Sequence, residues 1–213
     1  MRTATRLVVV GQTGDCCAVC IRWIARTVRR VINMTRYAIV LDTRRCIGCQ
    51  SCTVACRVHN DLPLDMIYNP VTTVGPTGVF PNVHMVHIPL LCMHCANPPC
   101  VECCPTGASQ QRADGIVWVD EQKCVGCKAC VMACPYGARI PNHEKGIVQK
   151  CDFCMDRVDM GKEPYCVATC HQRARIFGDL DDETSEVFRL VNRENVVRLL
   201  PELGTEPHAF YIM

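Results

Sequence analysis

The sequence predicts an α+β fold in which short strands, short helices and long loops wrap around inorganic centres rather than a large apolar core. Three observations carry that prediction. Sixteen of the twenty cysteines fall into four groups of four at recurring spacings. Two of those groups form an internal repeat. Only 12 of the 213 residues are aromatic, and the hydrophobic fraction of 49% counts the cysteines. A chain with so few large side chains needs cohesion from elsewhere, and ligation free energy is folding free energy where a site does not preform. The apo chain is therefore expected to fold poorly.

The groups are Cys46, Cys49, Cys52 and Cys56; Cys92, Cys95, Cys100 and Cys104; Cys124, Cys127, Cys130 and Cys134; and Cys151, Cys154, Cys166 and Cys170. Each is spaced as a ligand set for an iron–sulfur cluster. In the run C-x2-C-x2-C-x3-C-P, three thiolates curl around one cluster and the fourth is carried to the other cluster of a pair. Group three matches this run fully, through Pro135. Group one matches it as far as Cys56, where Arg57 replaces the proline. Group two has a longer loop before Cys100, and group four has eleven residues between Cys154 and Cys166. Gly48 and Gly126 sit inside the tight loops, where positive φ is expected. Cys104 and Cys134 are each followed by Pro, then by Gly-Ala at Gly107-Ala108 and Gly137-Ala138. That repeat marks a two-cluster ferredoxin module, and groups one and four read as a second, more divergent one.

Residues 1–36 are unlike the rest and carry seven Arg against one Asp. Arg22, Arg26, Arg29 and Arg30 share one face of a possible helix, opposite Ile21, Ile24, Val28 and Val31. The segment reads either as a basic amphipathic helix on a membrane surface or as non-native sequence preceding a start at Met34. Arg29-Arg30 is not followed by an apolar export core, so a twin-arginine signal is not assigned. Cys16, Cys17 and Cys20 receive no role. The four-cluster domain is placed at residues 37–180, with ferredoxin-type repeats at about 37–66, 83–114 and 115–144. Within it Tyr37–Asp42 reads as a strand leading into group one. The stretch holding Pro63, Pro70, Pro76 and Pro81 reads as turn and loop. Val83–Ile88, Gly115–Asp120 and Arg175–Gly178 read as strands. Residues 181–213 hold a helix over Ser185–Arg198 and then, from Pro201 to Met213, a tail laid over the surface.

The pattern argues against several function classes, a structural zinc protein with no redox role staying open as the third reading. Disulfide frameworks do not need repeated C-x2-C pairs at fixed offsets, and zinc sites do not need a third and fourth cysteine so close behind the first two. No run reaches the roughly 18 apolar residues of a bilayer span. Beyond residue 36 the chain has 16 basic and 20 acidic side chains, and clusters held by four thiolates add negative charge. The loaded body is anionic and nucleic acid is not an expected partner. No nucleophile, base or phosphate loop is identifiable, so the chain reads as a non-catalytic conductor. Cys103, beside Cys104, reads as a small buried hydrophobe. His94, between two ligands, could hydrogen-bond a cluster sulfur. His171 stands where a proline would follow the fourth cysteine.

Residues 37–213 resemble the iron–sulfur subunit of complex molybdopterin oxidoreductases, the dimethyl sulfoxide reductase B-subunit family, with its tetrathionate, polysulfide and thiosulfate reductase relatives. Cys46–Cys56, Cys92–Ala108, Cys124–Ala138 and Cys151–Asp179 carry the likeness, with Lys150–Cys154 and Ile176–Leu180 the most family-like stretches. The resemblance implies that the groups pair in a nested way, one with four and two with three. Cys46, Cys49, Cys52 and Cys170 would then hold one [4Fe-4S] cluster, and Cys56, Cys151, Cys154 and Cys166 its neighbour. Cys92, Cys95, Cys100 and Cys134 would hold a third, and Cys104, Cys124, Cys127 and Cys130 a fourth. All sixteen positions are cysteine, so four cubanes are expected where some relatives carry a three-iron centre. The resemblance further implies a catalytic partner with a molybdenum or tungsten pterin, and a membrane subunit that exchanges electrons with quinol. The chain would be membrane-associated through its partners, either cytoplasmic or, the favoured placement, exported with a signal-bearing subunit. A polyferredoxin-type subunit of a formate dehydrogenase or hydrogenase complex is the alternative.

Overall fold

The computed structural model describes residues 35–213. The basic face of residues 22–30 and Cys16, Cys17 and Cys20 lie outside the described residues. In chain order the first elements are strand β1 (Tyr37–Asp42), helix α1 (Ser51–His59), strands β2 (Val71–Val79) and β3 (Asn82–Pro89) and helix α2 (Pro99–Glu102). Strands β4 (Ser109–Gln111) and β5 (Val117–Val119), helix α3 (Ala129–Ala133) and strands β6 (Ile140–Asn142) and β7 (Ile147–Gln149) follow. Helices α4 (Met155–Asp159) and α5 (Tyr165–Ala168), strand β8 (Arg175–Asp179), helix α6 (Glu186–Arg193) and strands β9 (Val196–Val197) and β10 (Ala209–Ile212) complete it. The fold is mixed, with short helices and short strands.

One sheet of four strands, in the order β8-β1-β10-β9, organises the core. β1 runs antiparallel to β8 and parallel to β10, with Ile39 opposite Ala209 and Leu41 opposite Tyr211. Because side chains alternate across a strand, β1 and β10 serve two cores at once. Ile39, Leu41, Ala209 and Tyr211 face a cluster that includes Cys52, Cys56, Cys92, Cys95, Cys151 and Cys166. Ala38, Val40, Phe210 and Ile212 face the other way, against Val187 of α6 and Ile176. The sheet thus separates two apolar clusters, and about a third of the residues in the first are cysteine.

Three two-stranded ribbons, β2-β3, β4-β5 and β6-β7, complete the strand pairing. β4-β5 and β6-β7 follow the Gly-Ala steps of groups two and three, so the internal repeat is structural as well as sequential. Gly107 and Gly137 both adopt left-handed backbone, φ 64° and 62°.

Sequence expectations and structure part company in four places. The proline-rich linker is not all loop: Val71–Val79 is a strand paired with Asn82–Pro89 despite Gly75, Pro76 and Gly78, with an irregularity in register between Val74 and Thr77. The hairpin is almost wholly exposed beyond its base, so no apolar alternation marks it. The end of the chain is not a surface tail: β10 lies inside the sheet, with Ala209 and Tyr211 fully buried. Its backbone groups find partners on two sides, which four apolar residues cannot do as a free tail. The last helix stops at Arg193, well short of Arg198, where Val196–Val197 joins β10 instead. Cys103 is partly exposed, not buried.

Candidate metal centre

The local backbone that presents the cysteines recurs between groups one and three. In each, a glycine and then a polar residue two positions later adopt left-handed backbone: Gly48 and Gln50 at φ 68° and 62°, Gly126 and Lys128 at 64° and 63°. A helix begins directly after, α1 and α3 respectively. A Cβ on Gly126 would stand 2.2 Å from the Gly146 carbonyl oxygen, so the loop closes on the β6-β7 turn only without a side chain. Group four uses two consecutive left-handed residues, Phe153 and Cys154, to enter α4.

The structure brings the cysteines together in sets that mix the groups. Cys46, Cys49, Cys52 and Cys170 line one hollow that opens to solvent. Cys92, Cys95, Cys100 and Cys134 line a second. Cys104, Cys124, Cys127 and Cys130 line a third. Cys56, Cys151, Cys154 and Cys166 are close enough that each would suffer from a charge on another. The fourth cysteine of a group leaves its own loop on a short helix: Cys134 follows α3, and Cys104 follows α2 by one residue.

Burial pushes the thiols of Cys56, Cys95 and Cys154 up to about 12, and neighbouring thiols add to the effect. The Cys151 thiol goes well above its ordinary value for the same reasons. Thiolates at these positions need compensating positive charge, which iron supplies. Backbone amides contribute as well. The Ala174 N–H donates to Cys170 Sγ at 3.3 Å, Val148 N–H to Cys124 Sγ at 3.4 Å and Ser109 N–H to Cys104 Sγ at 3.4 Å. Hydrogen bonds of this kind stabilise bound thiolate and tune its metal. Among the described residues no three His, Cys, Asp or Glu side chains converge as ligands of a single ion would. Four thiols that line a hollow without converging on one point suit an extended inorganic core better than one zinc ion.

The remaining residues singled out by sequence fall into place. His94 is fully buried; its Nδ1 accepts from Val117 N–H at 3.0 Å and its Nε2 has no protein partner. Its environment is apolar and flanked by the cations Lys150 and Arg139, so burial and then those charges keep it neutral. His171 is exposed. Arg57, in the place of the proline after Cys56, donates to the carbonyl oxygens of Pro63, Leu64 and Met66 and so fastens the loop behind α1. Sequence reasoning missed two buried arginines, Arg139 and Arg175, each 3% exposed. One signal could have found them: each lies five residues after the last cysteine of its group and opens on a strand.

Known proteins resemble this chain along most of its length. Residues 83–180 match the model of a 4Fe-4S dicluster domain. The chain is 48% identical to the B-subunit of tetrathionate reductase from Salmonella typhimurium over 83% of its own length and 72% of the relative's. It is 39% identical to the B-subunit of sulfite dehydrogenase from Allochromatium vinosum, covering 84% and 83%. It is 41% identical, over 84% and 79%, to the iron–sulfur B-subunit assigned to dimethyl sulfoxide reductase in Halobacterium salinarum. The chain belongs to the iron–sulfur B-subunit family of the dimethyl sulfoxide and tetrathionate reductase type.

Proposed function

We propose that this chain is the electron-transfer subunit of a molybdopterin oxidoreductase and that it holds four [4Fe-4S] clusters. The observation that carries the reading is the gathering of twelve cysteines into three sets of four around hollows, with the other four, Cys56, Cys151, Cys154 and Cys166, all buried. Cys46, Cys49, Cys52 and Cys170 hold the first cluster and Cys56, Cys151, Cys154 and Cys166 the second. Cys92, Cys95, Cys100 and Cys134 hold the third and Cys104, Cys124, Cys127 and Cys130 the fourth. Each cluster, when bound, takes up and returns a single electron with no bond made or broken.

The protein's own part is to hold, space and insulate. Two dicluster modules within residues 37–180 share a cysteine-rich core closed on one side by the β1-β10 face. Cys49 and Cys127 are exposed, while Cys56, Cys151, Cys154 and Cys166 are all buried. The first and fourth sets therefore open towards partners and the second is sealed. The partners are a molybdopterin-containing catalytic subunit and a quinol-linked membrane subunit. No helix among the described residues is long and apolar enough to cross a membrane. None of the relatives named above belongs to a formate dehydrogenase or hydrogenase, and that alternative is not favoured.

The test is anaerobic purification with iron and sulfide analysis and electron paramagnetic resonance. About sixteen irons per chain and four reducible centres are expected. A fully assembled protein with far fewer irons, or colourless with zinc, overturns the reading.

A further inference from the structure

Two arginines occupy equivalent places in the two halves of the cysteine core. Cys134-Pro-Tyr-Gly-Ala-Arg139-Ile and Cys170-His-Gln-Arg-Ala-Arg175-Ile align without a gap. The residue three positions after each cysteine is left-handed, Gly137 at φ 62° and Arg173 at 47°. Each is hydrogen-bonded back to its cysteine carbonyl, at 3.3 and 3.0 Å. The same backbone turn therefore delivers both guanidinium groups into the core.

Arg139 lines two of the cavities, the one bounded by Cys92, Cys95, Cys100 and Cys134 and the one bounded by Cys104, Cys124, Cys127 and Cys130. Its Nη2 donates to Cys100 Sγ at 3.0 Å and to Ser109 Oγ. Nε and Nη1 are buried with no protein partner. Arg175 lines the cavity of Cys46, Cys49, Cys52 and Cys170, and its charge also acts on Cys166 and Cys56 of the other set in that half. Its Nη2 donates to Asn69 Oδ1, and Nη1 is buried without a partner.

Among the described residues neither arginine has a carboxylate within ion-pair distance. Every close ion pair among the described residues involves other side chains. The buried Lys150 is different, because its ammonium is used on the carbonyl oxygens of Val117 and Cys151. Arginine does not lose its proton in proteins. Each site thus keeps a fixed positive charge between two sets of thiolates, with N–H groups free for sulfide or thiolate sulfur.

We propose that Arg139 and Arg175 are potential-setting residues, each raising together the reduction potentials of the two clusters it separates. Reduction adds one electron and no proton to a cluster already made anionic by its thiolates. A cation buried beside it stabilises the reduced form more than the oxidised form. Because each guanidinium lies between two sets, both members of a pair move in the same direction. The electron can then cross within a pair without a large step, while the offset between pairs is adjustable by one residue in each. The inference rests on the four-cluster reading and goes beyond it.

The experiment is a dithionite titration with redox mediators of the wild-type protein and of R139Q, R175Q, R139K and R175K, followed by electron paramagnetic resonance, with iron counted in each. Iron content and four signals in the wild type test the cluster reading independently. In R139Q the third and fourth centres are expected to become at least tenfold harder to reduce, about 59 mV for one electron, with the first and second unmoved. R175Q is expected to do the converse. The lysine variants keep the charge and are expected to stay within about half of those shifts. Unmoved potentials in loaded glutamine variants overturn the proposal. So does a lysine shift as large as the glutamine shift, which would mark a packing effect. Loss of iron in both the glutamine and lysine variants also overturns it, because the arginine would then be required for assembly and not for potential.

Discussion

The ring of His94 stacks on the ring of Phe153 with centroids 3.6 Å apart and planes inclined by 19°. His94 lies between Cys92 and Cys95, and Phe153 between Cys151 and Cys154. The stack therefore joins the loop of Cys92 and Cys95 to the loop of Cys151 and Cys154. Phe153 continues the contact edge-on to Phe177, which stacks on Tyr37, so the seam between the two loops is anchored to the central sheet. Replacing Phe153 by Ala should open a cavity at this seam and cost about 3–5 kcal/mol. Replacing His94 by Leu should cost about 1–3 kcal/mol, since the buried Val117 N–H loses its acceptor. Anaerobic urea unfolding of the loaded variants measures both, and the larger loss should be that of Phe153.

The cavity lined by Cys92, Cys95, Cys100 and Cys134 predicts an outcome opposite to what chain order suggests. Cys134 is the last cysteine of group three, yet Cys134→Ser should alter the centre built by group two. Electron paramagnetic resonance of the reduced variant should show that signal lost or converted to a three-iron type, with the centre of Cys124, Cys127 and Cys130 retained. Loss of the latter alone would falsify the nested pairing.

Much of this was legible in the order of the residues. β1 is found at the bounds read from Tyr37–Asp42 because five successive apolar residues, Tyr37 to Leu41, two of them β-branched, lie between polar neighbours and allow little else. The cysteine spacings specify tight loops, and the left-handed glycines at 48 and 126 follow from them. What could not be read depends on partners remote in sequence. Ala209–Ile212 is too short to announce a strand, and it becomes one because β1, some 170 residues earlier, offers an unpaired edge. Val71–Val79 holds a proline and two glycines that argue against a strand, and only its antiparallel partner overrides them. Arg139 and Arg175 look like ordinary surface charges until the thiolates that face them are placed in space.

The glycines of the cysteine runs separate two kinds of constraint. Gly126 is left-handed and its absent Cβ would meet the Gly146 carbonyl oxygen at 2.2 Å. Gly137 is left-handed too, but nothing lies within 4 Å of its Cβ position. Gly137→Ala should cost only the conformational penalty, about 1–2 kcal/mol, with iron content unchanged. Gly126→Ala must also displace the β6-β7 turn, and should lose on the order of a further 1–3 kcal/mol together with iron from the fourth centre. Iron analysis and urea midpoints on the pair decide the matter.

His208 carries a prediction for acid stability. Its side chain is buried, Nδ1 has no partner, and Arg36 and Arg198 add to the effect of burial, bringing its pKa down to about 4. The folded protein therefore holds His208 neutral at pH values where the unfolded chain, near its ordinary 6.5, is already protonated. Stability from this site is fully present above about 6.5 and declines as pH falls from there to about 4. The whole decline is on the order of 3 kcal/mol. Urea midpoints of the loaded protein from pH 7.5 to 5 should fall, and should fall less in His208→Gln. Equal slopes in the two proteins would remove His208 as the cause.

Tyr211 tests whether the end of the chain is structural. The ring is fully buried on the cysteine-facing side of β10, and its hydroxyl donates to the Pro89 carbonyl oxygen at 3.0 Å. That bond ties the last strand to the base of the β2-β3 hairpin, beside the cavity of Cys46, Cys49, Cys52 and Cys170, which Pro89 also lines. Tyr211→Phe keeps the volume and leaves one buried carbonyl unsatisfied, a loss of about 1–3 kcal/mol. Tyr211→Ala adds a cavity between the sheet and the thiolates and should cost about 3–5 kcal/mol, enough to lower iron occupancy where ligation and folding are coupled. A graded loss, wild type above Phe above Ala, in both urea midpoint and iron content is the expected order. Wild-type behaviour of the alanine variant would return the last residues to the surface tail that their sequence suggests.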